Sequence, residues 1–148
     1  AYGITALDAI TTGDNNTVIG SGAGSALNTG NRNTLMGQGA GNLLTTATHT
    51  VAIGNAAASG YDTETHNLAI GHVALGGSVA GGEFNVAVGN FTLDALTSGD
   101  ANTVIGYNAG GSLTGASNSC WLWCWWGKYH RQWYFFGPFS WSWTNNGC

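Results

Sequence analysis

Residues able to do chemistry are few. His49, His66 and His72 lie mid-chain, with Asp62, Glu64 and Glu83 around them, and Cys120, Cys124, His130 and Cys148 lie near the end. Cys120-x-x-x-Cys124 lacks the paired second half of a zinc site, and His130 brings no fourth ligand with it. A bridge between Cys120 and Cys124 in an extracellular setting would leave Cys148 odd. Asp62, Glu64 and Glu83 form no carboxylate pair with a partner base. His66 and His72 could line a surface, or a metal stack in a trimer where each meets two copies. A solvated or packed histidine is the commoner outcome. Gly20-x-Gly22-x-Gly24 and Gly37-x-Gly39-x-Gly41 imitate phosphate loops but lack the lysine and the following helix, so they read as turn glycines. Calcium-binding nonapeptide repeats need regular Asp, which is missing. The expectation is a protein without catalysis, cofactor or bound metal.

Composition narrows the class further. The chain has 148 residues, 25 of them Gly, and only 7% are charged, so it is polar without being ionic. A net charge of −4 and a mean hydropathy near zero argue against disorder. Three Lys and Arg in all make a nucleic-acid partner a poor expectation. No run of about 20 apolar residues is present to span a membrane. With no initiator Met and no signal-peptide pattern, the chain is expected to be a fragment or a processed product.

The elements that must carry these residues come from a repeat. Asn16-Thr-Val-Ile-Gly20 returns as Asn33-Thr-Leu-Met-Gly37, Thr50-Val-Ala-Ile-Gly54, Asn67-Leu-Ala-Ile-Gly71, Asn85-Val-Ala-Val-Gly89 and Asn102-Thr-Val-Ile-Gly106. With Gly3 one period earlier, the seven turn glycines (Gly3, Gly20, Gly37, Gly54, Gly71, Gly89, Gly106) are spaced by 17, except for one interval of 18. Each pentad is β-rich and closed by Gly, which predicts a short strand. Thr/Gly/Asn clusters such as Thr11–Asn15 and Ser98-Gly99-Asp100 predict turns between strands. One turn of helix is allowed at Ala6–Ile10 or Leu93–Leu96. A unit this short cannot bury a core alone and must stack on its neighbours. The predicted fold is all-β: a β-solenoid or β-roll over residues 1–117, one coil of about 17 residues per repeat, seven coils in all.

Strand parity adds a prediction about assembly. One face carries Ile19, Met36, Ile53, Ile70, Val88 and Ile105, and the other carries Val18, Leu35 and Val104 with alanines between. Both faces are largely apolar, whereas a strand with one wet face alternates more cleanly. One face is expected to be the coil interior and the other to meet a neighbouring copy, with three-fold symmetry favoured. In the plainer reading, the small Ala/Val face packs on the chain's own connecting segment. Asn16, Asn33, Asn67, Asn85 and Asn102 would stack as an amide ladder of turns; a ligand-binding strip is the other reading of that row.

Asn-Thr-Val-Ile-Gly, with Ala-Gly three and four residues on and Thr-Gly-x-x-Asn between, resembles the repeats of phage tail-fibre-like proteins. Leu68-Ala69-Ile70-Gly71 before His72 is also similar to the head repeats of trimeric autotransporter adhesins. The head repeat is usually shorter, so the phage-type fibre fits the period better. The resemblance covers residues 1–117 and is specific to an architecture rather than to a receptor. It implies an intertwined or side-by-side homotrimeric fibre on a virion surface or otherwise extracellular. There it would space or present a host-attachment surface, beside other virion or fibre proteins. An adhesin head or a surface module for host glycans is the alternative it leaves open.

Residues 118–148 break the pattern. All seven Trp, all three Cys and the only Pro lie there. Trp is encoded by TGG alone, and reading one base later gives GGN, a glycine codon. Trp121-x-Trp123 then becomes Gly-x-Gly, the vocabulary of the upstream repeat. The tail therefore reads as a frame-shifted continuation of the repeats. If translated as written, it is an aromatic segment expected to plug a trimer end, bind a partner or a sugar, or bury itself in a lipid interface.

Overall fold

The computed structural model describes residues 1–60, 62–77 and 82–115, together with the backbone of two later strands. Six three-residue strands, β1 (Thr17–Ile19), β2 (Thr34–Met36), β3 (Val51–Ile53), β4 (Leu68–Ile70), β5 (Val86–Val88) and β6 (Thr103–Ile105), pair in parallel in chain order. The register is one repeat per rung: Val18 opposite Leu35, Leu35 opposite Ala52, and so on to Val104. The chain is thus an all-β solenoid of about five turns between β1 and β6. An earlier coil joins it through Tyr2, whose amide donates to Val18 O at 2.8 Å.

The strands are short because the chain turns at the glycine that closes each pentad and again just after it. At the glycine closing each pentad φ is between +133 and +140°, a region closed to side chains. A Cβ built on Gly54 would lie 2.4 Å from the carbonyl oxygen of Gly71 on the next coil. Two residues later the chain enters a left-handed pair at alternate positions: Gly22 and Gly24, Ala56 and Ala58, Phe91 and Leu93. These turns replace the helical turn expected near Ala6 and Leu93. Leu7 (φ +56°) and Leu93 (φ +53°) are left-handed, which a right-handed helix forbids. The same geometry makes Gly22 and Gly24 turn residues.

The middle residue of each strand points inward. Val18, Leu35, Ala52, Ala69, Ala87 and Val104 are buried against the chain's own corner residues, among them Leu27, Leu44, Leu75 and Leu93. Sizes are matched within coils. Leu35 fills the space beside Gly24 and Gly41, where an added Cβ would come within 2.8 and 3.0 Å of its methyls. Where the strand offers only Ala69 or Ala87, the corner residue after the closing glycine is Leu75 or Leu93, whereas Ala52 has the small Ala58 there. The interior is one side chain deep and close-packed.

Beyond the sixth strand, β7 (Cys120–Trp126) takes the next parallel rung, with Cys120 opposite Thr103. β8 (His130–Phe136) then returns antiparallel to it. The backbone therefore continues the 17-residue register for one rung past residue 118 before it reverses. The tail side chains, and with them the cysteine bridge and the tryptophan expectations, lie outside the described residues.

Candidate functional site

The two strand faces have different fates. Val18, Leu35 and Val104 belong to the core, whereas Ile19, Met36, Ile53, Ile70, Val88 and Ile105 form a column on the outside. Ile19 and Ile105 are each 41% exposed and Ile53 36%. Beside that column run Thr17, Thr34, Val51, Leu68, Val86 and Thr103, none of them buried. The plainer reading of the small face, packing on the chain's own connecting segment, accounts for the interior. The larger aliphatic face is left as a flat, apolar, partly open strip. At the parallel-sheet spacing it runs roughly 24 Å along the stack.

The Asn ladder lies immediately inside this strip. Asn33 donates from Nδ2 to Ala47 O at 2.8 Å, and Asn16 Oδ1 accepts from the Asn33 amide at 3.0 Å. Asn67 Oδ1 accepts from the Asn85 amide at 2.8 Å, and Asn85 Oδ1 from the Asn102 amide at 3.0 Å. Asn33, Asn67, Asn85 and Asn102 are buried; the first three satisfy backbone groups of the turns, and Asn102 donates from Nδ2 to Asn85 Oδ1 at 2.9 Å. This geometry serves the turns. Thr50 takes the slot in the third strand's coil, and its buried Oγ1 has no partner among the described residues.

Sequence reasoning missed a second column, the residue just before each ladder position: Asn15, Arg32, His49, His66, Phe84 and Ala101. All six are left-handed, with φ between +56 and +60°, and all six are exposed. His49 and His66 stack with centroids 4.7 Å apart and planes 6° from parallel, and Phe84 stacks on His66 at 4.9 Å. The 17-residue spacing of His49 and His66 was the available signal. His72 stands elsewhere, edge-on to Phe91 at 5.0 Å, with Tyr107 beyond it. His66 therefore pairs with His49 and not with His72.

The acids serve the turns. Glu64 Oε2 accepts from the amides of Asp62 and Thr63 at 2.9 and 3.0 Å, and Glu83 Oε1 accepts from Thr65 Oγ1 at 3.2 Å. Asp94 has a buried Oδ1 with no partner among the described residues. Burial raises its carboxyl above the ordinary carboxylate range, and a backbone hydrogen bond offsets part of that. Among the described residues no helix is long and apolar enough to cross a membrane. Comparison with family models, with curated proteins and with solved structures returns no match for this chain.

Proposed function

We propose that this chain is a structural module of an extracellular or virion-surface fibre, a homotrimer that spaces or presents a host-attachment surface and catalyses nothing. The observation that carries the reading is the outward column of Ile19, Met36, Ile53, Ile70, Val88 and Ile105. A continuous apolar strip of that length is costly to leave wet, and contact with other copies removes it from water. Parallel copies aligned along the stack axis bring like rows together at every rung, as closed rotational symmetry requires. The near absence of charge on the repeats favours a packed fibre over a charged recognition surface.

The mass of the native particle in solution tests this reading. Three chains are expected, and Ile53→Asp combined with Ile70→Asp is expected to release single chains. A monomeric wild type refutes it. A second reading, an adhesin head or glycan-binding module, is favoured by the exposure of Phe84 (54%) and Tyr107 (63%), whose rings could stack on sugar faces. Binding to a glycan array would support that second reading.

A further inference from the structure

Six exposed side chains form one column along the solenoid, one per rung: Asn15, Arg32, His49, His66, Phe84 and Ala101. Its two halves differ in kind. Arg32 is the single Lys or Arg of residues 1–117. Phe84 is 54% exposed, and one face of its ring lies on His66. One coil on, where a further ring would cover the other face, Ala101 offers only a methyl. Two acids flank that end: Glu83 precedes Phe84 and Asp100 precedes Ala101, and the Glu83 amide donates to Asp100 Oδ1 at 2.8 Å. The column thus carries a guanidinium on its second rung and, on its fifth, an aromatic face beside carboxylates. A guanidinium stacks on aromatic faces and bonds carboxylate oxygens in its own plane. Three rungs separate the two in one chain, roughly 14 Å at the parallel-sheet spacing.

We propose that this column is a self-complementary contact between two copies of the chain, laid antiparallel about a two-fold axis that passes between the rungs of His49 and His66. The rungs are evenly spaced, so reversal sets the second rung against the fifth and the third against the fourth. Arg32 of each copy then meets Phe84 and Glu83 of the other, and the contact forms twice, as two-fold symmetry requires. His49 meets His66 of the second copy, and Asn15 meets Ala101. Each imidazole already has Nδ1 on a threonine hydroxyl, His49 on Thr48 at 3.2 Å and His66 on Thr65 at 2.9 Å, so Nε2 is the nitrogen offered to the other copy. A parallel, in-register pairing of the same column fits worse: it sets Arg32 against Arg32 and leaves the Glu83 and Asp100 end without a cation. The antiparallel pairing has one cost, Asp14 opposite Asp100 at each end, where both side chains are exposed and water screens them. The contact is small and partly polar, so it is weak and salt-sensitive. Its direction is opposite to that of the proposed parallel strip, so it ties one particle to another and does not rest on the fibre reading.

The test is sedimentation of the full chain at low and high NaCl. At low salt and high protein concentration, a base particle is expected in equilibrium with one of twice its mass. The base particle has three chains if the outward strip assembles a trimer and one if it does not, so the two readings fail separately. NaCl at about 1 M, where screening acts within about 3 Å, is expected to leave the base particle alone. Arg32→Glu and Glu83→Arg are each expected to weaken the doubling about tenfold or more. The two substitutions in one chain exchange the charges on both sides of the contact and are expected to restore it, which repair of a merely structural defect would not explain. Direction is read by p-benzoylphenylalanine placed at position 15: on illumination it is expected to capture the peptide carrying Ala101 of a second chain. A particle that never doubles overturns the proposal, as does doubling unmoved by Arg32→Glu. Failure of the double variant to recover, or capture confined to the peptide around residue 15, overturns it as well.

Discussion

The side-chain oxygen of Asn33 accepts the backbone amide of Thr50 at 2.9 Å, and with that bond one run of the amide ladder ends. The next run starts at Asn67, whose Oδ1 takes the amide of Asn85. The solenoid is thus braced in two segments, with the gap at a single buried hydroxyl.

Thr50→Asn should close that gap. Asn16 and Asn33 each donate to a carbonyl fourteen residues on, at Gly30 and Ala47. A carboxamide at position 50 would meet the Glu64 carbonyl in the same way and present its oxygen to the Asn67 amide. A net hydrogen bond contributes about 1 kcal/mol, and satisfying a buried group adds to it. Chemical denaturation should show stabilisation of about 1–2 kcal/mol with an unchanged m-value. Asn85→Ala, which removes the bonds to Asn102 and Gly99, should lower stability by about 2–3 kcal/mol.

Size matching across the coil sets a second expectation. Ala69 faces an interior already filled by Leu75, so Ala69→Leu should cost about 1–3 kcal/mol through overpacking. Leu35→Ala should cost about 2–5 kcal/mol, because the glycines at 24 and 41 cannot fill the cavity left behind. Thermal unfolding of the two variants reads both values.

Gly54→Ala should be far more damaging than Gly22→Ala. At Gly54 the φ of +134° is closed to alanine, and the Cβ would overlap the Gly71 carbonyl at 2.4 Å. At Gly22 the φ is +68° and nothing lies within 4 Å. The first should cost more than about 3 kcal/mol and the second about 1 kcal/mol. Equal losses of soluble folded protein would contradict this account of the turns.

Asp94 sets a pH dependence of unusual sign for a carboxylate. Its pKa is raised in the folded chain by burial, so the group favours folding while protonated. That contribution is full below the unfolded pKa and is lost as pH rises through the folded value. Near neutrality the partly buried carboxylate is a net penalty, and Asp94→Asn should raise the midpoint at pH 7 while having little effect at pH 3. Thermal scans at the two pH values measure the difference.

The period of seventeen, the strands, the closing glycines and the ladder slots were legible in the residues because translation along a parallel stack forces like residues into like positions. Which strand face turned inward was not legible, since Ile/Val/Met on one side and Val/Leu/Ala on the other are both apolar. Packing decided it: the middle residues of the strands, from Val18 and Leu35 to Val104, are buried against the corner residues Leu27, Leu44, Leu75 and Leu93, and the Ile/Met/Val row is left facing out. The helical turn near Leu93 was misjudged for a related reason. Non-glycine residues in left-handed conformation are locally unfavourable, and only hydrogen bonds between coils, such as Leu93 N to Ala109 O at 3.0 Å, hold them there.

The sequence by itself determined the repeat and therefore the stack, because a periodic pattern has one economical way to bury itself. Only the tertiary structure decided that His49 rests on His66, that the Thr50 hydroxyl is buried without a partner among the described residues, and that the strip of isoleucines faces out. Those relations join residues a whole coil apart, and they depend on which way each turn directs a side chain.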